Sequence, residues 1–357
     1  MMATIQIHQV TMNVRTITAT TPIRICDLGG WTDTWFAGHG VVCSLAVNPG
    51  VVVQVRLSTR QTERQAVQLE ARNYGESLQY PGQTPRHPLL HAAIATNPIP
   101  PSYDAVVSVQ SDIPPGCSTG TSAAVSVALI GALRAAQGHI EPPAKLSRAA
   151  HLLETDELGL QSGIQDQIGV AHGGCCFIEM THYPQATVSA VHVNRKTIVA
   201  LNEQLLLFYI GTPHLSTVIH QRVIHRLESL PDTSALLEPL REAALLGRSA
   251  LVAGDLTAYG QALQANTAAQ RNLHPALVAP ISEQLIALAM QHGALGCKVN
   301  GAGGDGGSIA VLTSADPQQR AAFNVEVQAR LPQMRRIPIT YAPHGIQITE
   351  TEGEDNT

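Results

Sequence analysis

Two acids and three glycine loops are the features of this 357-residue chain best suited to chemistry. The stretch 112–124, DIPPGCSTGTSAA, follows a strand pattern and opens a helix pattern. Gly116 and Gly120 let the backbone turn sharply and come close to a ligand. Unpaired N–H groups at a helix start attract an anion. Ser118, Thr119, Thr121 and Ser122 add hydroxyls for phosphate oxygens or a divalent cation. The loop lacks the Gly-Lys-Ser/Thr of a Walker A motif. A glycine turn with hydroxyl caps on a core helix accounts for the same residues. The stretch 298–307, KVNGAGGDGG, places five glycines within seven residues. A hairpin needs one or two, so this density fits close approach either to a ligand or to the first loop. The third loop, 24–34, RICDLGGWTDT, sets Gly29 and Gly30 among Asp27, Thr32 and Asp33. An acid beside a glycine pair can bind sugar hydroxyls by charge-assisted hydrogen bonds, or form an Asx-turn.

The two further acids are Glu154, near the end of a helix pattern, and Asp166, just past Ser162-Gly163 where a new helix begins. Asp166 could accept a hydroxyl proton or help hold a cation; a plain surface carboxylate at a helix start fits as well. Asp156 and Glu157 read as a solvated face. His39, His172 and His214 lie near these stretches, but among 15 histidines such proximity reads as structural. Trp31 is placed either to stack on a sugar face or to pack. Lys298 is placed to meet a phosphate or a carbonyl of the first loop.

These residues need elements to position them. Residues 3–70 are strand-like, with Val51–Leu57 β-branched behind Pro49-Gly50, and Tyr103–Val109 is another strand. Val125, Ala128, Leu129, Ala132, Leu133 and Ala136 follow a helical period, and a second helix covers about 143–158. Cys175–Met180 and Thr187–Val193 form a strand pair. Beyond about 198 come a buried strand, Leu205–Ile210, and four helices near 214–229, 234–252, 255–270 and 278–292. Pro239 is tolerated in the second of these only near its start. A strand–glycine loop–strand unit over 296–312, a helix near 316–330 and two short strands close the chain.

Composition sets limits. Hydrophobic residues make up 44% and charged residues 14%, which is globular. Aromatics are only 4%, so the core is built from Ala, Val, Leu and Ile. Net charge is −5, and Glu350, Glu352, Glu354 and Asp355 carry four of those charges. No basic stripe marks a nucleic-acid surface. None of the six cysteines forms Cys-x-x-Cys, so they read as reduced thiols rather than zinc ligands. No signal peptide or membrane span is read, and a cytoplasmic monomer or homodimer is expected. Three segments are expected: a lobe over 1–197, a lobe over 198–349 and a frayed acidic tail over 350–357.

The order of the loops resembles the GHMP kinase superfamily over nearly the whole chain. The Arg–(x)₈–Asp spacing of its first motif resembles Arg24 to Asp33. Its second, Pro-x-x-x-Gly-Leu-Gly-Ser-Ser-Ala, resembles Pro114 to Ala123, and its third, Lys-x-x-Gly-Ala-Gly-Gly-Gly-Gly, resembles Lys298 to Gly306. Ser118, Thr119, Thr121 and Asp305 depart from those patterns. The run 29–34 is similar to the L-fucokinase branch, and 154–167 and 206–211 to the bacterial heptose-7-phosphate kinase branch. Both branches phosphorylate sugars at the anomeric hydroxyl.

The resemblance implies an α+β, two-lobed fold, with a first lobe like ribosomal protein S5 domain 2 and a ferredoxin-like second lobe. It implies ATP held by Pro115, Gly116, Cys117, Ser118, Thr119, Gly120, Thr121, Ser122 and Ala123, and Mg²⁺ held by Thr121 or Ser122 with Glu154. Asp166 would be the base, stabilised by Arg24. Gly30, Thr32, Asp33, Gly303 and Gly304 would meet a sugar. The expected activity is phosphoryl transfer from ATP to a sugar hydroxyl, the anomeric one first. A non-sugar alcohol or a sugar phosphate as acceptor is the alternative, as is a catalytically silent sugar- and ATP-binding sensor.

Overall fold

The structure, a computed structural model, describes residues 13–82, 86–211, 216–230 and 233–354. It opens on two long antiparallel strands, β1 (Asn13–Leu28) and β2 (Gly40–Thr59), followed by β3 (Val67–Ala71) and β4 (Glu76–Tyr80). The first half of β1 buries Val14, Ile17 and Ala19 while its other residues stay half-exposed, the period-2 pattern of a sheet wet on one face. From Thr21 onward every residue of β1 is buried. There a second lobe covers the outer face, so Ile23, Ile25 and Leu28 share one core with Leu207, Tyr259 and Leu263. Pairing of β1 with β2 breaks register between Thr21 and Ile23 and again between Ile25 and Leu28. Pro22 lacks an N–H for the ladder, and Cys26 sits at φ 52. Such bulges re-aim side chains beside functional sites; here the second one accompanies the turn of Asp27 into a cleft.

The first lobe continues with α1 (Pro88–Thr96), β5 (Tyr103–Ser111), α2 (Thr121–Ala136), α3 (Pro143–Leu152), α4 (Gln165–His172) and the hairpin β6 (Cys175–His182) and β7 (Gln185–Ala190). A π-helical turn, Leu153–Glu157, extends α3. Val53, Val55, Leu57 and Val107 of the sheet pack on Ala124, Val127, Ala128 and Leu133 of α2. The small alanines let this helix lie close on the sheet, which is how a core poor in aromatics fills its space.

The second lobe holds α5 (Arg195–Gln204), β8 (Leu205–Tyr209), α6 (Ser216–Glu228), α7 (Ser234–Ala253), α8 (Leu256–Leu273), α9 (Pro280–Gln291), β9 (Gly296–Val299), β10 (Ser308–Leu312), α10 (Pro317–Arg330) and β11 (Arg335–Ile337). Its sheet runs β11-β8-β10-β9, all antiparallel. The sequence β8, α9, β9, β10, α10, β11 follows the β-α-β-β-α-β order of a ferredoxin-like lobe. β8 is buried on both faces. Leu205, Leu207 and Tyr209 face the core shared with the first lobe, and Leu206 and Phe208 face α9 and α10.

The chain end corrects the sequence reading in two ways. The expected boundary at 197/198 falls inside α5. After β12 (Thr340–Tyr341), which pairs with β2, the chain returns to the first sheet as β13 (Gln347–Glu354). β13 pairs along the edge of β1 from Thr20↔Gln347 to Asn13↔Glu354. Residues 350–354 are therefore a strand and not a frayed tail, and 355–357 lie outside the described residues. Ile346 and Ile348 pack on the core, and Arg15 Nε donates to Glu350 Oε1 at 2.7 Å. Among the described residues no helix is long and apolar enough to cross a membrane, and all six cysteines are free and buried.

Ending the chain at Ile346 would strip the edge of β1. We expect Tm to fall by roughly 5 °C or more, the shift of about 2 kcal/mol in a domain of this size. An unchanged melting curve would make β13 a passenger.

Candidate active site

A cleft of about 870 Å³ lies where the glycine loops 112–124 and 298–307, the Arg24–Thr34 segment, the 159–166 segment and α6 meet. Its centre is Arg24, 4% exposed. Nε donates to Asp166 Oδ1 and Nη2 to Asp166 Oδ2, both at 2.8 Å, and Nη1 donates to the Ser118 carbonyl at 2.6 Å. This fork geometry is the strongest form of arginine–carboxylate pairing. Burial opposes the guanidinium charge, but Asp166, then Asp27 and Asp33, outweigh it and hold the pKa above its ordinary value.

The first loop turns through Gly116 (φ 73), Ser118 (φ 57) and Gly120 (φ 68), and Gly120 is the N-cap of α2. No side chain caps that helix. Its first N–H groups therefore face the cleft as an anion-binding end. Asp166 Oδ2 lies 3.5 Å from where a Cβ on Gly120 would stand, so the paired carboxylate stands next to that end. Gly116 through Ser122 line the cleft. Two residues expected there do not: the Pro115 carbonyl accepts from Tyr209 Oη at 3.4 Å, and Ala123 is buried in the core. The Thr121 hydroxyl lies 3.2 Å from that of Thr119, while Ser122 is exposed.

Glu154 lies in the π-helical turn, 6% exposed. It accepts from Ser126 Oγ (3.3 Å), Ser162 Oγ (3.0 Å) and Gln167 Nε2 (2.8 Å), with no cation among these partners. Burial raises its pKa to about 7; Ser162 works against the rise and the Asp166 charge adds to it. An isolated acid with hydroxyl neighbours suits Mg²⁺, which takes one or two carboxylates and completes its shell with phosphate oxygens and water. Among the described residues no three His, Cys, Asp or Glu groups gather to hold an ion alone.

Asp33 and Asp27 look alike in the sequence and serve differently. Asp33 lines the cleft, and its Oδ2 accepts from the Gln165 backbone N–H at 3.0 Å. Burial raises its pKa to about 6. Gly163 must be glycine beside it, because a Cβ there would stand 2.2 Å from Asp33 Oδ2. Asp27 is instead the counter-ion of Lys298, Nζ to Oδ1 3.3 Å, with both side chains about 1% exposed. It also accepts from Gly301 N at 3.1 Å. Burial works against the Asp27 charge, while Lys298 and Arg24 hold its carboxyl below the usual range. Burial pulls the Lys298 pKa down against Asp27. Lys298 thus meets Asp27 and the Val299 carbonyl, rather than a phosphate or a first-loop carbonyl.

Other expected residues are placed as follows. Gly30 and Trp31 line the cleft. Thr32 is fully buried; its hydroxyl donates to the Gly29 carbonyl at 2.7 Å and accepts from Val41 N. Gly303 and Gly304 pack on Leu277, whose carbonyl would stand 2.2 Å from a Cβ on Gly303 and accepts from Gly304 N at 3.0 Å. From the same loop it is Gly301 and Ala302 that reach the cleft. Asp305 is exposed. His172 Nδ1 stays on the Ile168 carbonyl, His39 is exposed, and His214 lies outside the described residues. Sequence reasoning missed Ser126, one turn beyond Ser122 on α2, and the α6 wall of Gln221, Ile224, His225 and Glu228. It also missed Arg241, buried in α7, whose Nη2 donates to the Ala37 and His39 carbonyls at 2.9 Å.

Known proteins resemble this chain in sequence and in fold. Residues 89–174 match the GHMP kinases N terminal domain, and residues 248–328 match GHMP kinases C terminal. A bifunctional fucokinase/GDP-fucose pyrophosphorylase of Arabidopsis thaliana is 22% identical over 86% of this chain and 31% of its own length. A D-glycero-alpha-D-manno-heptose 7-phosphate kinase of Campylobacter jejuni is 23% identical over 55% of this chain and 58% of its own. The chain thus spans about a third and somewhat over half of these two relatives. A Lactococcus lactis galactokinase complexed with galactose shares the fold at TM-score 0.69 and 17% identity, covering 94% of this chain and 95% of that one.

Two outcomes test this electrostatic layout. Lys298→Met, which strands the buried Asp27 charge, is expected to cost about 3–5 kcal/mol in urea unfolding, and adding Asp27→Asn should restore most of it. No recovery in the double variant would separate the two groups. For Glu154 the folded pKa, about 7, exceeds the ordinary 4.5. Its proton therefore stabilises the fold fully below pH 4.5, and that contribution is lost as pH rises through 7. In metal-free buffer Glu154→Gln should remove a stability loss on the order of 1–3 kcal/mol between pH 4.5 and 8. Parallel pH profiles for both proteins would contradict it.

Proposed function

The chain belongs to the GHMP kinase family, and from that premise we propose that it transfers the γ-phosphate of ATP to a hydroxyl of a sugar. One observation carries the reading. The Asp166 carboxylate, held in a two-pronged pair by buried Arg24, stands beside the side-chain-uncapped N-terminus of α2 in a single cleft. Phosphoryl transfer asks little of a protein beyond position and charge, and these parts supply both.

The α2 amides and the turn from Gly116 to Ser122 hold the phosphates. Ser122 and Glu154 are the groups that would hold Mg²⁺, which when bound neutralises charge on the phosphate oxygens. Asp166 orients the attacking hydroxyl and takes its proton. Arg24 orients the carboxylate and faces the transferring group. Asp33, with Gly30 and Trp31 beside it, meets the acceptor's other hydroxyls. We assign the anomeric hydroxyl as the one phosphorylated. That assignment rests on the likeness of 29–34 to the L-fucokinase branch and of 154–167 and 206–211 to the heptose-7-phosphate kinase branch; two of the relatives are named as a fucokinase and a heptose 7-phosphate kinase.

Asp166→Asn is expected to lower kcat by about 10²–10⁴-fold. Mg²⁺-dependent ADP release against a sugar panel measures the loss, a melting curve checks the fold, and phosphorus NMR reads the product position. Full turnover in a folded Asp166→Asn protein would remove Asp166 from the reaction. A product phosphorylated away from C1 would correct the position alone.

A further inference from the structure

The charges around the acceptor end of the cleft are unbalanced. Asp27, Asp33, Glu154, Asp166 and Glu228 line it, and Arg24 is the sole Lys or Arg among its described lining residues. Three Arg24 nitrogens are already engaged, two by Asp166 and one by the Ser118 carbonyl. The Asp27 charge is met by Lys298. Glu154 sits among Ser126, Ser162 and Gln167 at the proposed metal end, which leaves Asp33 and exposed Glu228 for the acceptor space, the first held by a backbone N–H and the second accepting from Trp35 Nε1 at 3.0 Å.

Gln165 supplies an independent sign of a ligand. It lines the cleft, is 8% exposed, and its Oε1 is buried with no hydrogen-bond partner. An orphaned buried acceptor is costly. A hydroxyl, which donates and accepts, can complete the carboxamide, and a phosphate dianion cannot donate to it. The Gln165 backbone N–H donates to Asp33 Oδ2, so the two residues are neighbours on the cleft wall.

We propose that this cleft accepts an uncharged polyol, whose hydroxyls are read by Asp33 and Gln165, and excludes acceptors carrying a phosphate or carboxylate. The proposal rests on the sugar-kinase reading and narrows it. Like charges brought together cost free energy, most at buried Asp33 and less at exposed Glu228, so the selection needs no steric barrier. Gln165 is the specificity-determining residue, and Glu228 sets the sign of the wall.

The test uses the full chain with Mg²⁺ and ATP at low ionic strength, against matched sets of a free sugar, its terminal phosphate and its uronate. Free sugars should show kcat/KM at least about tenfold above their anionic partners, with the ratio shrinking as salt rises and in Glu228→Lys. Gln165→Leu should raise KM for the free sugar about tenfold with kcat little changed, whereas a merely structural role would move the melting curve and leave KM alone. A phosphorylated acceptor used as well as its free sugar overturns the inference and leaves the kinase reading standing. ADP release from no member of any set overturns both.

Discussion

A buried guanidinium cannot shed its proton, so whatever surrounds Arg24 must answer a full positive charge. That requirement organises the centre of the molecule. Asp166 comes from the start of α4, the Ser118 carbonyl from a residue turned to positive φ, and both close on Arg24 from opposite sides. Backbone then crowds the side chain. A Cβ at Gly120 would stand 3.1 Å from Arg24 Cγ, and one at Gly301 3.3 Å from Nη2. At Gly307 it would stand 2.7 Å from Ser118 Oγ. The glycines of the 112–124 and 298–307 loops thus have a packing reason: they let two loops and a buried charge share a small volume. The same absence of side chains leaves the α2 amides open to the cleft. Packing and ligand binding are two results of one constraint here, and the density of glycine alone does not separate them.

The second lobe fixes the other side of the same segment. Asn266 Oδ1 accepts from Gly29 N at 2.8 Å, Asn300 Oδ1 from Cys26 N at 2.9 Å, and Lys298 meets Asp27. Arg241 holds the turn at Ala37 and His39. Each partner is a buried polar group, and such groups are costly unless bonded with good geometry. Their combined effect is to hold Arg24 and Asp33 on a backbone that has little freedom to relax. Preorganised charge of this kind is what phosphoryl transfer draws on.

Much of this was legible in the sequence, and the reasons for the rest are physical. The period of Val125 to Ala136 and the apolar run Leu205–Ile210 became α2 and β8 because local pattern and tertiary burial agree there. Local pattern does not separate Asp27 from Asp33, and only the resemblance singled out Asp33, since each sits near glycines and the difference depends on Lys298, 271 residues from Asp27. Gly303 and Gly304 were assigned to the ligand because nothing local says that Leu277 lies behind them. The acidic end was read by its charge. The β-branched Ile348, Thr349 and Thr351 were the overlooked signal, and an open edge of β1 decided the outcome. The α6 wall carries no motif, so its side chains became visible only where the helix packs.

The acids of the cleft divide by whether a cation meets them, and the division follows their place. Asp27 and Asp166, at the middle, are paired with Lys298 and Arg24 and hold the loops in register. Asp33 accepts from a backbone N–H and Glu154 from hydroxyl and amide donors, and burial pushes both pKa values up. A fold built for stability alone would replace such groups with neutral ones, because an uncompensated buried carboxylate costs free energy at neutral pH. Their cost is offset only when something outside the chain supplies the missing charge or hydrogen bonds: a divalent cation at Glu154 and donor hydroxyls at Asp33. The two buried acids that no cation meets therefore mark the two ends of the proposed reaction, nucleotide and acceptor, and the paired acids mark the machinery between them.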